Sequence, residues 1–328
     1  MRAAVLSEEH AFEVVDVVDP APGATELVLR VDACGICGSD LKAYRVLPAG
    51  TVLGHEFCGE IVAVGTGVRA DWREGQAVAA MPLGACGRCR WCLADEPAHC
   101  ERVDLQGVGG SPGAFAEYVR VDAASALRLA DGIGEHGALV EPLAVGLHTV
   151  DTGNLLVGDR ALVIGGGNVG AAVSVWARRR GAAELVVSDP AESRRDAAAS
   201  FGATGVHDPA DGPPPPGFDV VFECVGAPGT VQTAIDAAGV HGRVVIAGVC
   251  MAEDRIVPVS ALMKEVDLRF AVYYRGKEFA AAAGLLESGD VDPAAFVSGR
   301  VGLDGVSDTF EQLLSTTTER KILVRPNG

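Results

Sequence analysis

The stretch Arg160-Ala161-Leu162-Val163-Ile164-Gly165-Gly166-Gly167-Asn168-Val169-Gly170 decides the fold. It begins as a short apolar run, which is typical of a buried parallel strand. It then enters the pattern G-x-G-x-x-G at Gly165, Gly167 and Gly170, and residues 171–180 continue with apolar positions at helical spacing. A strand that leads through three such glycines into a helix is typical of a dinucleotide-binding turn.

Each glycine of the pattern has a separate physical task. Gly165 makes the tight turn, Gly167 allows the backbone to approach a pyrophosphate, and Gly170 allows the helix to pack on the strand. The pyrophosphate is expected at the start of the helix, at Asn168 and Val169, where free N–H groups and the helix dipole favour an anion.

A second strand is predicted over 184–188, and Asp189 ends it, 19 residues after the last glycine of the pattern. A carboxylate at this position is suited to bind the adenosine ribose hydroxyls and repels a 2′-phosphate, so NAD is favoured over NADP. Arg194 and Arg195 lie nearby and weaken that preference, which leaves NADP open. The alternative is that Asp189 is only a turn residue.

Strand and helix patterns continue to alternate after Asp189. Further strands are predicted over 205–207, 218–224, 243–247 and 267–272, with a helix over 230–238. This alternation predicts a doubly wound parallel sheet of the α/β class. Before it, strands separated by glycine-rich turns indicate a mostly β domain, over 26–33, 58–64, 76–80 and 115–121.

Length and charge restrict the class of protein. The chain has 328 residues, which at about 150 residues per domain predicts two domains. Lys and Arg number 27 against 44 Asp and Glu, a net charge of −17, so nucleic acid and anionic membranes are not expected partners. No apolar run approaches the roughly 18 residues that cross a bilayer, and the N-terminus turns polar too early for a signal peptide. A cytoplasmic location is therefore expected.

Nine cysteines are present, an odd number that argues against a disulfide framework. Four follow the spacing C-x2-C-x2-C-x7-C at Cys86, Cys89, Cys92 and Cys100. Four thiolates converging on one centre suit tetrahedral zinc, and because all four ligands come from the protein, such a zinc is structural. Four reduced thiols in a loop or an iron–sulfur cluster are the alternatives.

A second set of zinc-ligand types is dispersed along the β region. Cys37 lies in Cys34-Gly35-Ile36-Cys37-Gly38-Ser39-Asp40, His55 lies in Gly54-His55-Glu56, and Glu141 opens a predicted helix. Cysteine, histidine and carboxylate all bind zinc. Spacing alone does not join them, because His55 could be a hydrogen-bonded structural histidine and Glu141 a charge at a helix N-terminus.

The order of these five motifs, from Gly-Ile-Cys-Gly-Ser-Asp to the glycine turn, resembles the zinc-dependent medium-chain alcohol dehydrogenase family over essentially the whole chain. Within it, the sequence is most similar to the sorbitol, threonine and butanediol dehydrogenase branch. The resemblance implies a GroES-like β catalytic domain, residues 1–148, which is split by an inserted Rossmann domain, residues 149–276, and completed by residues 277–328. It also implies homodimers or homotetramers.

The resemblance further implies two zinc ions per chain, one structural and one catalytic. Cys37 and His55 would bind the catalytic zinc, and Glu56 and Glu141 would supply carboxylate ligation that exchanges with water during turnover. Asp40 would accept the second ring N–H of His55 and fix its tautomer.

The implied activity is hydride transfer between a secondary alcohol or polyol, or the matching ketone, and NAD(H). Ser39 would contact the substrate oxygen and begin a proton relay. Lys42 occupies the place where the family often has a histidine that passes the proton outward. The alternative to a relay role is that Lys42 is a solvated surface lysine. Two other functions stay open: an NADPH-dependent biosynthetic ketoreductase of the same fold, and a non-catalytic dinucleotide-binding redox sensor.

Overall fold

A computed structural model describes residues 1–69, 71–315 and 318–328. The chain forms two compact units; the first comprises Met1–Glu141, Tyr274–Thr317 and Lys321–Gly328, and the second comprises Pro142–Tyr273 and Thr318–Arg320. The chain therefore leaves the first unit and later re-enters it, a few residues before the expected bounds at 148 and 276. No helix in the described part of the chain has both the length and the apolar character that crossing a bilayer requires.

The N-terminal part of the first unit consists of short strands and two short helices. Its longest strand, β3, buries Leu27, Leu29 and Val31 completely on alternate positions, as a strand against a core does. The strands are β1 (Arg2–Leu6), β2 (Phe12–Asp16), β3 (Glu26–Gly35), β4 (Glu56–Val64), β5 (Ala77–Ala80), β6 (Leu83–Gly84), β7 (Asp104–Leu105), β8 (Tyr118–Asp122) and β9 (Ala126–Arg128). The helices are α1 (Gly38–Ala43) and α2 (Arg90–Leu93).

The second unit contains a six-stranded parallel sheet, which confirms the predicted doubly wound α/β fold. Its strands are β10 (Arg160–Ile164), β11 (Glu184–Ser188), β12 (Gly205–His207), β13 (Phe218–Glu223), β14 (Ala238–Ile246) and β15 (Asp267–Phe270), in the order β12-β11-β10-β13-β14-β15. The order reverses between β10 and β13, and ligands of such sheets bind at the carboxyl ends of the strands at this switch point. Helix α3 (Val140–Thr152) begins with the last two residues of the first unit and continues into the second. The other helices are α4 (Asn168–Arg179), α5 (Glu192–Ala197), α6 (Thr230–Ala237) and α7 (Pro258–Leu262).

The C-terminal segment completes the sheet of the first unit. It forms α8 (Gly276–Glu287), β16 (Val297–Val301), α9 (Val306–Ser315) and β17 (Lys321–Val324). Strand β17 pairs antiparallel with β3, with Leu323 opposite Gly35, and the sheet has the order β16-β17-β3-β4-β5-β9, with β8 pairing with β3. Phe310 of α9 packs its ring 4.6 Å from that of Phe12, so the last fifty residues also close the core.

Candidate metal centres and coenzyme site

The four cysteines of the C-x2-C-x2-C-x7-C loop converge on one point. The sulfur atoms of Cys86, Cys89, Cys92 and Cys100 all lie within 4.8 Å of one another. Backbone N–H groups point at two of these sulfurs, from Cys89 to Cys86 at 3.4 Å and from Cys86 to Cys100 at 3.3 Å. Such donors, from Arg88 and Cys89, lower the pKa of the Cys86 thiol to about 6 and so favour the thiolate that binds metal. The donor set fits a tetrahedral zinc ion.

The sheet register assembles the second group. Gly35, the last residue of β3, lies opposite Glu56, the first residue of β4, so the segments that follow and precede these strands meet at one end of the sheet. Cys37 and His55 lie on those segments, and the ligand atoms of Cys37, His55 and Glu56 all lie within 4.8 Å of one another. The structure therefore brings together three residues that sequence spacing alone could not join.

Asp40 lies behind His55. Its Oδ1 is 3.1 Å from His55 Nδ1, and its Oδ2 accepts a hydrogen bond of 2.9 Å from the Cys37 N–H. Burial is the largest single influence and acts to lower the pKa of His55, but the charge and hydrogen bonding of Asp40, together with those of Cys37, outweigh it, so the pKa is raised well above its usual value. With Nδ1 beside the carboxylate, Nε2 is the ring atom available to a metal.

Glu56 is fixed by a residue that sequence analysis did not find. Lys321 Nζ contacts Glu56 Oε2 and donates a hydrogen bond of 2.8 Å to the Ile36 carbonyl. Glu56 Oε1 is buried and has no hydrogen-bond partner among the described residues. A zinc ion would satisfy such an unpartnered oxygen, on a carboxylate that lies within 4.8 Å of a thiol and an imidazole. The donor set therefore fits the metal.

Glu141 lies near this group but outside the set of mutually close ligand atoms found in the described part of the chain. It is buried in the first turn of α3, and burial raises the pKa of its carboxyl to about 8. His55 acts to lower this pKa and Glu56 to raise it, which places Glu141 within electrostatic reach of both. Its role as a ligand stays a prediction, as do the roles of Ser39 and Lys42, which are half-buried on α1.

The glycine turn follows β10 as the sequence predicts. Gly165 has φ 96°, in the left-handed region that favours glycine. A Cβ at Gly170 would lie 1.8 Å from the Gly165 carbonyl oxygen, so only glycine allows α4 to start so close to the strand. At the start of α4, both side-chain polar atoms of Asn168 are buried without a partner among the described residues, which makes them available to a polar ligand.

Asp189 is engaged within the turn itself. Its Oδ2 accepts a hydrogen bond of 2.8 Å from the Gly166 N–H, and its Oδ1 accepts one of 2.8 Å from the Ala191 N–H. Arg194 Nη1 lies 3.5 Å from Oδ2, while Nη2 donates to the Glu319 carbonyl. Asp189 therefore does hold the turn, as the alternative interpretation expects. Its contact with a ribose stays a prediction.

Comparisons with known proteins agree with this geometry. The model of the alcohol dehydrogenase GroES-like domain matches residues 23–131, and that of the zinc-binding dehydrogenase matches residues 168–288. A 2-dehydro-3-deoxy-L-galactonate 5-dehydrogenase of Pseudoalteromonas atlantica is 32% identical over 343 residues, covering 100% of this chain and 99% of the relative. The (R,R)-butanediol dehydrogenase of Bacillus subtilis is 30% identical over 353 residues, an alignment that covers 100% of this chain and 100% of the relative.

Solved structures show the same relationship. A protein described as a zinc-binding dehydrogenase of Sinorhizobium meliloti 1021, bound to NADP, superposes with a TM-score of 0.90 at 32% identity, over 99% of each chain. The 2R,3R-butanediol dehydrogenase of Bacillus subtilis gives 0.88 at 29% identity, also over 99% of each chain.

Fold, metal-ligand sets and glycine turn together define a zinc-dependent oxidoreductase with a GroES-like catalytic domain and a Rossmann nucleotide domain. The chain belongs to the zinc-dependent medium-chain alcohol dehydrogenase family. The family predicted from the five ordered motifs is thereby confirmed.

Proposed function

We propose that this protein oxidises a secondary alcohol of the polyol class to the ketone, and catalyses the reverse reaction, with NAD(H) as coenzyme. The observation that carries the proposal is the Cys37–His55–Glu56 group, in which His55 and Glu56 are buried and one carboxylate oxygen lacks a partner among the described residues. Relatives that act on butanediol and on a dehydrodeoxygalactonate support the substrate class.

Zinc bound by these residues is a Lewis acid that favours loss of the alcohol proton and polarises a carbonyl. Asp40 orients the His55 ring, and Lys321 holds one oxygen of Glu56 and leaves the other without a partner among the described residues. Glu141 supplies a further carboxylate for ligand exchange. Ser39 Oγ accepts the proton of the substrate hydroxyl and gives up its own proton to Lys42 Nζ in its neutral amine form. The resulting ammonium releases a proton to solvent, which completes a general-base relay.

For the coenzyme, the negative charge of Asp189 at the end of β11 supports NAD over NADP, because a 2′-phosphate would be repelled. The pyrophosphate binds at Gly165, Gly167 and the start of α4, with Asn168 and Val169. The positive charge of Arg194, whose Nη1 lies 3.5 Å from Asp189 Oδ2, acts against this preference. Since the Sinorhizobium neighbour contains NADP, an NADPH-dependent ketoreductase is the second candidate, and initial rates with both coenzymes distinguish the two.

The test follows nicotinamide absorbance with a panel of diols, polyols and hydroxy acids, before and after chelation. We expect activity that chelator removes, and two zinc ions per chain. His55→Ala should abolish turnover, whereas His99→Ala, an exposed histidine, should not. Turnover that survives complete loss of zinc would contradict the proposal, and a single zinc per chain with no turnover would favour the redox sensor.

A lysine at the relay position has its own test. If Lys42 passes the proton, Lys42→Met should change the pH dependence of kcat without changing the affinity for coenzyme. Lys277→Met, an exposed lysine on α8, is the control. An unchanged pH profile would leave Lys42 as a surface residue.

We infer that two copies pair along the β15 edge of the six-stranded sheet. Strand β15 forms this edge, and the exposed apolar side chains beside it include Met263 and Phe270, at 73% and 71% exposure. An unpaired edge beside apolar side chains favours strand addition. Phe270→Glu should lower the molecular mass measured by sedimentation, whereas Val206→Glu on the opposite edge strand, β12, should not. An unchanged mass in Phe270→Glu would contradict this dimer, and a homotetramer would then have to form through another surface.

The nine cysteines are all free thiols in the structure, which supports a location in the reducing cytoplasm. Thiol titration of freshly lysed cells tests this location.

A further inference from the structure

We propose that Glu223, the last residue of β13, is a positioning residue for the nicotinamide half of the coenzyme. Its buried side chain holds the loop 224–226, which borders the glycine turn on the side opposite to β11. The inference rests on the proposed function, because it takes the turn from Gly165 to Gly170 to bind a nicotinamide dinucleotide. All the contacts that carry it lie within the second unit.

The order of the strands separates the two halves of a dinucleotide. Strand β10, which leads into the glycine turn, lies between β11 and β13. A dinucleotide lies across such a switch point, at the carboxyl ends of the strands. If its adenosine lies beside Asp189 at the end of β11, its other half extends over the ends of β13 and β14. The loops that follow β13 and β14 are therefore expected beside the nicotinamide half.

Glu223 holds the first of these loops through its side chain. The side chain is fully buried, and its Oε1 accepts hydrogen bonds of 2.8 Å from the N–H groups of both Val225 and Gly226. Gly226 has φ 66°, in the left-handed region, so the chain turns sharply directly after the strand. One carboxylate oxygen therefore binds two consecutive N–H groups of a tight turn.

The main chain of Glu223 holds the second loop, which follows β14. Its carbonyl accepts the Ala247 N–H at 2.9 Å and the Gly248 N–H at 3.0 Å. The two loops are in close contact, since a Cβ at Gly248 would lie 2.7 Å from Gly226 Cα and 2.6 Å from Glu223 Oε2. Glu223 is therefore bound to both of the loops that are expected beside the nicotinamide half.

The loop after β13 also packs against the glycine turn. The Cys224 N–H donates to the Ile164 carbonyl at 2.9 Å, and a Cβ at Gly165 would lie 2.7 Å from Val225 Cγ2. Val225 is 38% exposed, so an apolar side chain reaches the surface next to the turn. Apolar side chains form most of the lining of coenzyme sites. We therefore expect Glu223 to act on the coenzyme through the position of Val225.

The test compares NADH with ADP, which has the adenosine and both phosphates of the coenzyme but lacks its nicotinamide half. Both ligands are titrated calorimetrically into the full chain with its metal. Glu223→Met keeps the length of the side chain and removes the oxygen acceptor. NADH should bind about tenfold more weakly, the order of effect of a lost hydrogen bond that ordered the site, whereas ADP should bind as before. A general loss of structure would weaken the binding of both ligands.

Two variants serve as controls. Glu184→Met makes the same replacement at the amino end of β11 in the same sheet, and it should change neither affinity. Glu223→Gln keeps one oxygen acceptor for the two N–H groups. Because Oε2 has no hydrogen-bond partner among the described residues, an amide nitrogen in its place breaks no hydrogen bond. Glu223→Gln should therefore restore NADH binding to within about threefold of the unaltered protein.

A variant in the loop itself tests the last step. Val225→Ala changes a partly exposed side chain, and NADH should bind about fourfold more weakly, the effect of one methylene group that loses its contact. ADP binding should stay unchanged. Combined with Glu223→Met it should add little, because the two residues act on the coenzyme in series.

Unchanged NADH affinity in Glu223→Met would overturn the proposal, as would equal losses for NADH and ADP, or a Glu223→Gln variant as weak as Glu223→Met. Should Glu223→Met fail to fold, Val225→Ala decides by the same comparison of the two ligands. Failure of the proposed function is distinguishable: an unaltered protein that binds NADH but oxidises no alcohol would contradict that function alone and leave the binding comparison decisive.

Discussion

Lys321 Nζ contacts Oε2 of Glu56, and the two side chains are each 1% exposed. The residues are 265 positions apart in the sequence and meet because β17 pairs with β3, next to the strand that begins at Glu56. The ion pair restrains one carboxylate oxygen, while Oε1 is buried without a partner among the described residues and the carboxylate lies close to Cys37 and His55. The orientation of one candidate zinc ligand is therefore determined by the last strand of the chain.

Replacement of Lys321 by methionine would leave the Glu56 charge buried without its partner. Removing one member of a buried pair costs about 3–5 kcal/mol, so the free energy of unfolding should fall by that amount in urea titrations. Lys277→Met, where the lysine is exposed, should change it by less than about 0.5 kcal/mol. Equal stability of the two variants would show that the buried pair contributes nothing.

Cys89→Ser should remove one zinc ion per chain and lower the melting temperature, because a tetrahedral site loses a ligand. Zinc per chain is measured by plasma mass spectrometry. Cys250→Ser is the matched control, because Cys250 belongs to neither ligand group of the described residues. Iron and visible absorbance in the purified protein would point to the iron–sulfur alternative instead.

Gly170→Ala should destabilise the nucleotide unit and abolish coenzyme binding, since the added Cβ would lie 1.8 Å from the Gly165 carbonyl oxygen. Gly284→Ala is the control within another helix. Apart from the adjacent residues and the backbone of the helix itself, no described atom lies within 4 Å of the Cβ position, and alanine should stabilise by up to about 1 kcal/mol. Calorimetry and titration with NADH measure both effects. Normal coenzyme affinity in Gly170→Ala would refute the close packing.

Asp189→Asn keeps an oxygen acceptor for the Gly166 N–H and removes the negative charge. The preference for NAD over NADP, measured as the ratio of kcat/KM values, should fall about tenfold, which corresponds to about 1.4 kcal/mol of lost repulsion. Asp211→Asn, an exposed aspartate of the same unit, should leave the ratio unchanged. If Asp189→Asn leaves the preference for NAD over NADP unaltered, the only role of Asp189 is to hold the turn.

Arg300 gives a pH-dependent contribution to stability. Its hydrogen bond to Glu135 lowers the pKa of that carboxyl below the usual 4.5. The contribution is therefore complete above pH 4.5 and is lost as the pH falls through the lower folded-state value. Arg300→Gln should cost up to about 1 kcal/mol at pH 7 and nothing in strong acid. Denaturant titrations across this pH range measure the difference in the free energy of unfolding between the unaltered protein and Arg300→Gln. A difference that does not change with pH would show that the Arg300–Glu135 pair is not its source.

The sequence predicts best what depends on neighbouring residues. The glycine turn from Gly165 to Gly170 and the four-cysteine loop are contiguous, so their geometry follows from local backbone requirements and ligand spacing. Joining Cys37 to His55 required the resemblance, because only the β3–β4 register brings them together.

Lys321 and Asp95 were not found from the sequence. Lys321 differs from an ordinary surface lysine only by opening an apolar strand, and nothing local indicates that Glu56 is its partner. Asp95 resembles any acidic loop residue, yet its carboxylate accepts hydrogen bonds from the N–H groups of Gly276 and Lys277, which are 181 and 182 positions away. Side-chain partners at such separations depend on the tertiary fold.

The discontinuous first unit has a consequence for biosynthesis. A ribosome completes all six strands of the parallel sheet, β10 to β15, before Lys321 is made. Because domains tend to fold as units during translation, the nucleotide unit can fold while Glu56 still lacks its ammonium partner. The order of synthesis therefore predicts that the nucleotide unit forms before the Cys37–His55–Glu56 group has all of its contacts, because the contact of Glu56 with Lys321 requires strand β17.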